Sequence, residues 1–581
     1  MFTFTRQLAL RRAYSFNVVA RGQRHASYHA RPRRSLRFAY LGGILAIAGA
    51  GVSAAFSLER TIQSDSNLPF VPQQSRDQQS SQTTSLRTLV RAYIVYSMCS
   101  FPTLIDAAPK LLNTLMGIPI VRNITETFVR VTFFDQFVGG DTAQGSLPLL
   151  YSFRAANKGV LFAYSIEVDE NEATSNSSSK KKGQPVYKRC VDEMIRAIDV
   201  AADFEDHIVG KDTHNGRRTW VAIKMTALLP DAQALIALSS HILATRPQLE
   251  PSIPFPGCPH PTDLDIFSSQ STSKSLHTND VASLRELYSD LRRICLRAQE
   301  RGVKLIIDAE YSWYQPAIDA MQLALMREFN KSATENVGSR PSVQPLIYGT
   351  FQAYLRRRAA CSTPLHLAQS YHDAQLHNYS LGVKLVRGAY HPHEVLAHEA
   401  AKLQGQHSLS ISPDVLPPVW TTKEETDRCY DDCVKLLVGW VKESNQSKSK
   451  HEDLPRIGVL FGTHNWSSVR LILSELHTNG LAEDQRVGNE GEPVLKLDDE
   501  VTERVTLGQL YGMSDELTDY IVHRTRSNSP MVIKYVPYGS LLETMPYLSR
   551  RAIENKSVLG DGHAAEERRR AGREIWARVF G

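Results

Sequence analysis

The chain is short of the features that mark specialised protein classes. It has 7 cysteines in 581 residues, Cys99, Cys190, Cys258, Cys295, Cys361, Cys429 and Cys433. The number is odd and the spacing scattered, which excludes a disulfide framework. Only one uncharged stretch is long enough to span a bilayer, so a multi-pass membrane protein is excluded. There is no P-loop, no GxSxG nucleophile elbow and no nucleic-acid-binding module. Hydrophobic residues at 42% and charged residues at 22% are globular proportions. They rule out collagen, a coiled-coil fibre and a wholly disordered chain.

Acidic residues are missing where the chain begins. Residues 1–37 hold nine Arg (Arg6, Arg11, Arg12, Arg21, Arg24, Arg31, Arg33, Arg34 and Arg37), no Lys and no acid, and the first acidic residue is Glu59. The whole chain's +6 less this +9 leaves −3 for the rest. The basic balance is therefore no sign of a nucleic-acid partner. An Arg-rich, Ser-containing, acid-free leader reads as a mitochondrial transit peptide. Such a leader is drawn to anionic membrane surfaces and to a negative-inside potential. Arg12-Ala13-Tyr14-Ser15 resembles a matrix-processing site.

The apolar stretch, Phe38 to Phe56, has 19 uncharged residues. At about 1.5 Å per residue it just spans a bilayer core. It fits either a retained anchor or a sorting signal that is removed. Its Gly49-Ala50-Gly51-Val52-Ser53-Ala54 matches GxGxxA, but a dinucleotide site needs a βαβ unit and an acid about 20 residues on. A Ser/Gln/Asp linker follows instead. The expected organisation is a transit peptide at 1–37, the apolar segment at 38–56, a linker at 57–85, a helical arm at 86–160 and a barrel with a C-terminal helix at 161–581.

Beyond Leu86 the composition is globular. Short apolar, β-branched runs recur at Leu161–Val168, Trp220–Leu228, Val303–Trp313, Pro345–Leu355, Leu381–Tyr390, Arg456–Asn465, Val505–Gly512 and Met531–Gly539. Most precede a helical pattern: Lys188–Val209, Gln315–Phe329, Leu365–His377, Lys423–Glu443, Ser467–His477, Asp515–Arg524 and Leu541–Asn555. Continuous apolar strands alternating with helices imply a covered parallel sheet. Such a series suggests a (β/α)₈ barrel with an N-terminal helical arm, the runner-up being a doubly wound open sheet. Low-complexity insertions at Asp169–Gly183, Ser268–Ser275, Glu443–Asp453 and Glu483–Glu500 read as surface loops.

A barrel of this kind carries its chemistry at the carboxyl ends of its strands. Polar residues gather there: Asp308-Ala309-Glu310, Gln352 and Tyr354, Lys384 to Tyr390, Thr463-His464-Asn465, and Tyr535 to Gly539. Lys224 and Lys384 interrupt apolar runs, where a charge is costly unless paired or binding something. On the last of these helices Tyr547, Arg550, Arg551 and Glu554 share one face. Leu541, Met545, Leu548 and Ala552 form a neighbouring apolar stripe suited to packing on the sheet. Two guanidiniums beside a Tyr suit a small carboxylate with an apolar body; the plain alternative is a solvated face with an Arg550–Glu554 pair. No metal site is expected. His393, Glu394 and His398 miss zinc-protease spacing by one residue, which turns the two His about 140° apart on a helix. Cys429 and Cys433, at i and i+4, read as buried thiols.

These residues carry a resemblance. Val221-Ala222-Ile223-Lys224, Ile307-Asp308-Ala309-Glu310, Phe351-Gln352-Ala353-Tyr354, Lys384-Leu385-Val386-Arg387-Gly388-Ala389-Tyr390, Thr463-His464-Asn465, Gly508-Gln509-Leu510-Tyr511-Gly512-Met513, Tyr535-Val536-Pro537-Tyr538-Gly539 and Tyr547 to Asn555, in that order, resemble mitochondrial proline dehydrogenase (proline oxidase), especially the fungal type. The likeness spans roughly Phe133 to Asn555 and omits the leader and the insertions. It implies non-covalent FAD at the strand ends and oxidation of L-proline to Δ1-pyrroline-5-carboxylate. Hydride would pass to flavin N5 and electrons to ubiquinone, at the matrix face of the mitochondrial inner membrane. By matching positions it implies that Lys224, Arg550 and Arg551 hold the proline carboxylate. Tyr535 and Tyr547 would wall the ring with Tyr390 and Leu510 nearby, and Asp308 would orient the site. Gln352, Lys384, Val386, Thr463, His464, Asn465 and Glu554 would contact the flavin. Bacterial members have Arg where Lys384 stands, and Tyr535 stands where a smaller residue is expected in hydroxyproline-specific relatives. The competing classes are a non-enzymatic tethered barrel and a metal-dependent hydrolase.

Overall fold

In the computed structural model the described residues are 85–166, 184–211, 213, 215–245, 259–268, 276–331, 345–356, 363–404, 409–412, 415–447, 456–485, 492–556 and 563–580. The expected transit peptide, the apolar segment 38–56 and nearly all of the linker lie outside them. So do Arg357, Arg358, Cys258, Cys361, the insertion Asp169–Gly183 and most of Ser268–Ser275 and of Glu443–Asp453. Among the described residues no single helix is long and apolar enough to cross a membrane.

Eight parallel strands close a barrel in sequence order. They are β1 (Lys158–Tyr164), β2 (Thr219–Ile223), β3 (Leu305–Ile307), β4 (Ile347–Gln352), β5 (Leu381–Val386), β6 (Ile457–Gly462), β7 (Val505–Leu510) and β8 (Val532–Tyr538). β8 pairs with both β7 and β1, which shuts the ring and excludes the open doubly wound sheet. Each expected strand is present but shorter than its apolar run. The run at Val303–Trp313 yields only Leu305–Ile307, and Met225–Leu228 leaves β2 as a 3₁₀ turn. β2 and β3 stop just before the inward polar residues Lys224 and Asp308, whereas Lys384 and Tyr535 lie within β5 and β8.

Strand side chains alternate between the two faces of the sheet. One set, Leu161, Ala163, Trp220, Ala222, Ile306, Tyr348, Leu460 and Ile533, packs together as a cluster inside the barrel. The Trp220 and Tyr348 rings lie 5.2 Å apart within it. The opposite set, including Val160, Phe162, Val221, Ile223, Leu305, Ile307, Val383 and Val459, joins the surrounding helices in a larger core. The barrel is thus plugged by its own side chains, as such barrels are.

The arm comprises helices Leu86–Cys99, Pro102–Met116 and Pro119–Val129, followed by one wide π-turn at Arg130–Phe134. The apolar stripe Leu541, Met545, Leu548 and Ala552 was read as suited to packing on the sheet. It forms a cluster with Ala92, Val95, Tyr96, Phe134 and Phe137 of the arm region and with Ala564 and Ala571 of the C-terminal helix His563–Phe580. The helix Leu541–Glu554 is therefore held over the barrel mouth by the arm. The arm also grips the turn after β7, because Tyr96 Oη and Gln136 Nε2 both donate to the Gly512 carbonyl, at 2.6 and 2.9 Å. The insertion Glu483–Glu500 is not a plain loop. Glu483–Asp484 and Leu495–Lys496 pair antiparallel, and the latter pairs with Thr525–Arg526, making a small second sheet.

Two glycines make opposite predictions. Gly512 has φ +73°, and a Cβ there would sit 1.9 Å from the Gln136 carbonyl oxygen. Gly439, inside the helix Lys423–Ser447, has nothing within 4 Å of such a Cβ. Gly512→Ala should destabilise the protein by at least about 2 kcal/mol, while Gly439→Ala should stabilise it by about 0.5–1 kcal/mol. Thermal unfolding of the two variants beside the unaltered protein checks both signs.

Candidate active site

Above the apolar plug the inward-facing positions turn polar. Counting by twos from Trp220, Ile306, Tyr348 and Ile533 gives Lys224, Asp308, Gln352 and Tyr535. Lys384 and Val386 on β5 and Leu510 on β7 stand at the same end of their strands. The strand-borne site residues expected from the sequence therefore share one end of the barrel.

Asp308 is the centre of this layer. It is 7% exposed. Its Oδ1 accepts from Lys384 Nζ at 2.5 Å, and its Oδ2 accepts from Tyr535 Oη at 2.9 Å. The Lys384 ammonium also lies 5.2 Å from the centroid of the Tyr535 ring. One carboxylate thereby fixes a residue of β5 and a residue of β8, both adjoining the same space.

Glu310 secures the neighbouring wall. Its two oxygens accept from the Thr226 amide and the Thr226 hydroxyl, two residues beyond Lys224. Its carbonyl accepts from Gln352 Nε2 at 3.0 Å. Burial pushes the Glu310 carboxyl above its usual range, with the Thr226 bonds and Lys224 pulling it back. Burial lowers the Lys224 ammonium and the Arg551 charge lowers it further, against Glu310 and Asp308.

The helix Leu541–Glu554 brings the remaining cations. Its start is fixed by a capping box between Ser540 and Glu543. Tyr547 and Arg551 are buried, at 3% each, while Arg550 is half-buried. Arg551 ion-pairs with Glu554 and lies 4.9 Å from the Tyr547 ring centroid. The Arg550 guanidinium lies 5.2 Å from the Tyr390 ring centroid. Glu554 therefore pairs with Arg551, where a solvated face would have paired it with Arg550. Arg550 is pushed down to about 10, first by burial and then by the Arg551 charge. Cations crowded this closely favour an anion among them.

The third group of expected residues is placed differently. Thr463 Oγ1 accepts from Arg387 Nη1 at 2.7 Å and from the Asn465 amide at 3.1 Å. Asn465 caps the helix Trp466–Thr478 through Ser468 N, and His464 Nε2 accepts from the Leu510 amide at 3.0 Å. These side chains order the rim at β6. Arg387 is a residue that sequence reasoning passed over. It binds Asp427, Thr463 and Ser468 and covers the Tyr430 ring at 4.1 Å. Its only signal was a charge at the end of β5. Gly388 beside it is obligatory, since at φ +141° a Cβ would meet the Tyr354 ring at 1.9 Å. Cys429 and Cys433 are both buried, and the hydrogen bond to Cys433 pulls the Cys429 thiol down to about 7.

The arrangement is an inward layer of acid, amine and phenol beside a helix with two guanidiniums. A family model described as proline dehydrogenase matches residues 174–563. The chain belongs to the proline dehydrogenase family. It is thus an oxidoreductase of that family. Among curated relatives, "Proline dehydrogenase 1, mitochondrial" of Arabidopsis thaliana is 27% identical over 481 residues, covering 82% of this chain and 80% of the relative. "Hydroxyproline dehydrogenase" of Mus musculus is 28% identical over 498 residues, covering 85% of this chain and 91% of the relative. A solved structure of proline utilization A (PutA) from Bdellovibrio bacteriovorus inactivated by N-propargylglycine is 18% identical, with a TM-score of 0.49, and this chain spans 37% of its length. The fungal subtype stands as an expectation from the sequence alone.

The Asp308 clamp sets an order of stabilities. The side chains of Lys384 and Asp308 are only 12% and 10% exposed. Asp308→Ala strands a buried ammonium and should cost roughly 3–5 kcal/mol. Tyr535→Phe removes one hydrogen bond and should cost about 1–2 kcal/mol. Urea unfolding of both variants tests the order, and a larger loss for Tyr535→Phe would displace Asp308 from the centre.

Proposed function

We propose that the protein oxidises L-proline to Δ1-pyrroline-5-carboxylate with bound FAD and passes the electrons to ubiquinone at the mitochondrial inner membrane, facing the matrix. The observation that carries this reading is the meeting of Lys224, Arg550 and Arg551 beside the Asp308–Tyr535–Lys384 clamp. Three cations suit one small carboxylate, and the aromatic rings suit an apolar saturated ring.

The lining fits a flavin. Gln352 Oε1 and Tyr547 Oη are buried polar atoms without a hydrogen-bond partner among the described residues. A buried acceptor at Gln352 suits the ring N–H groups of an isoalloxazine, and buried groups of this kind rarely stay unpaired. Gln352, Lys384 and Val386 would hold the flavin ring. Thr463, His464, Asn465 and Glu554 would lie along the rest of the cofactor, with Arg387 fixing the Thr463 rim. When bound, FAD supplies the acceptor for the hydride that leaves the proline carbon next to nitrogen.

The chain's own residues supply position and field. Arg550, Arg551 and Lys224 would bind the carboxylate oxygens and fix one end of the substrate, a proximity effect. Tyr535 cannot swing aside, because its hydroxyl is bound to Asp308. Its ring therefore limits the space beside the substrate ring, which favours proline over its bulkier hydroxylated analogue. Lys384 and Lys224 place positive charge where an electron-rich reduced cofactor gains from it. The arm, by holding the helix Leu541–Glu554 over the mouth, keeps water from the cations and strengthens their field.

The hydroxyproline dehydrogenases among the relatives, such as the one 28% identical, supply a second reading in which hydroxyproline is the substrate. The flavin absorbance before and after anaerobic addition of each amino acid decides between them. Proline should bleach the protein at lower concentration than hydroxyproline, and no bleaching by either would overturn the assignment. Arg551→Met should raise KM for proline by roughly 30-fold or more, the equivalent of a lost charge-assisted contact of about 2 kcal/mol. FAD content should be nearly unchanged. Equal loss of both would remove Arg551 from carboxylate binding.

A further inference from the structure

Glu394 is fully buried, at 0% exposure, in the first turn of the helix His391–Gln404. Its Oε1 accepts from the Ser312 amide and its Oε2 from the Ser312 hydroxyl, both at 2.7 Å. Among the described residues no cation pairs with it. Burial pushes its carboxyl up to about 6, against the two Ser312 bonds. A buried carboxylate without a counter-ion is a poor device for stability alone, since an apolar residue of similar size would avoid the desolvation cost. Its position indicates another use.

Ser312 belongs to the loop after β3, four residues beyond Asp308. Glu394 lies one helical turn beyond Tyr390, and its amide donates to the Tyr390 carbonyl at 3.0 Å. The carboxylate therefore ties the loop after β3 to the loop after β5. Between them stands an aromatic stack. Tyr311 lies 4.4 Å from Trp313, nearly parallel, and 4.4 Å from Tyr390. On Tyr390 rests the Arg550 guanidinium, 5.2 Å from the ring centroid. A chain of direct contacts thus runs from Glu394 through Ser312 and its neighbour Tyr311 to Tyr390 and Arg550.

We propose that Glu394 is a positioning residue for substrate binding: by clasping Ser312 it fixes the Tyr311–Tyr390 ring contact on which the Arg550 guanidinium is set. Glu394 touches neither substrate nor cofactor. This inference rests on the reading of Arg550 as a carboxylate ligand. It adds a residue whose only signal in the sequence was a failed zinc-protease pattern.

The test uses the FAD-loaded enzyme and three variants, with KM and kcat for proline and FAD content as readouts. Glu394→Ala should raise KM by about tenfold, as expected when a positioned cation loses its register, while kcat and FAD content stay within about twofold. Ser312→Ala, which removes one of the two bonds and leaves the amide bond, should raise KM by about threefold. Glu394→Gln can accept from the Ser312 amide and donate to its hydroxyl, so it should restore KM to within about twofold of the unaltered enzyme. The double variant Glu394→Ala, Ser312→Ala should be no worse than Glu394→Ala alone, because both act through one contact. KM unchanged in Glu394→Ala, additive losses in the double variant, or a loss in kcat and FAD content equal to that in KM would each overturn the proposal. If Glu394→Ala does not fold, Ser312→Ala decides, and an unchanged KM there overturns it. Failure of the unaltered protein to bleach with proline overturns the assignment of function and this inference with it. Normal bleaching with no shift in the variants overturns this inference alone.

Discussion

The site depends on one buried carboxylate having two partners from opposite parts of the barrel. Asp308 is taken out of water where β3 ends, which would be costly for a lone charge. Lys384 and Tyr535 offset that cost, one from β5 and one from β8. Because both bonds use the same short side chain, the two partners cannot move independently. The placing of an ammonium against a phenol ring, 5.2 Å from its centroid, is therefore set by one Asp.

The loop after β3 extends the same logic to its neighbours. Asp308, Glu310 and Ser312 alternate along it, and each binds a different wall: β5 and β8, the turn after β2, and the helix after β5. Gln352 on β4 joins through the Glu310 carbonyl. β3 itself has only three residues in the ladder. Its brevity is the condition for this hub, since residues paired in a sheet could not direct three successive polar side chains to separate partners. The helix Leu541–Glu554 is positioned by other means. Its apolar stripe is buried on the arm, and the arm in turn grips the Gly512 carbonyl after β7. Thus two separate frames, the barrel rim and the arm, meet at the crowded cations.

Much of this was legible in the sequence because period and parity are local properties. Eight apolar runs gave eight strands, Gln315–Phe329 and Asp515–Arg524 formed helices with the expected bounds, and residues two or four past an inward apolar residue proved to share the mouth. The i, i+3, i+4, i+7 face of Tyr547, Arg550, Arg551 and Glu554 likewise needed only helix geometry. What was not legible depends on distance along the chain. Tyr535 and Asp308 are 227 positions apart, and Tyr96 and Gly512 are 416 apart. No periodicity announces such a pair. The stripe Leu541, Met545, Leu548 and Ala552 was rightly read as apolar, but its main cover is the arm, with only Leu510 of β7 beside the same cluster, because an apolar face does not name what covers it. The small sheet at Glu483–Asp484 was hidden for a related reason, as its strands of two residues are too short to show alternation. Glu394 drew notice only through a metal pattern that its spacing fails, and nothing local announced its burial.

The charge balance shows how selectivity can arise without a long-range field. Residues 38–581 carry −3, so their overall field does not attract anions. Proline is a zwitterion with no net charge, and such a field would steer it little in any case. Discrimination must come at contact, from cations that have lost most of their water. Lys224 and Arg551 press on each other electrostatically, as do Arg551 and Arg550. A carboxylate arriving among them relieves that repulsion and replaces lost hydration at once, whereas a neutral molecule of the same shape does neither. On the proposed reading, gathering like charges only partly offset by Glu310, Asp308 and Glu554 would be the source of the specificity. The Asp308 clamp, the Glu310 bonds and the arm-held helix together keep those charges from relaxing apart when the site is empty.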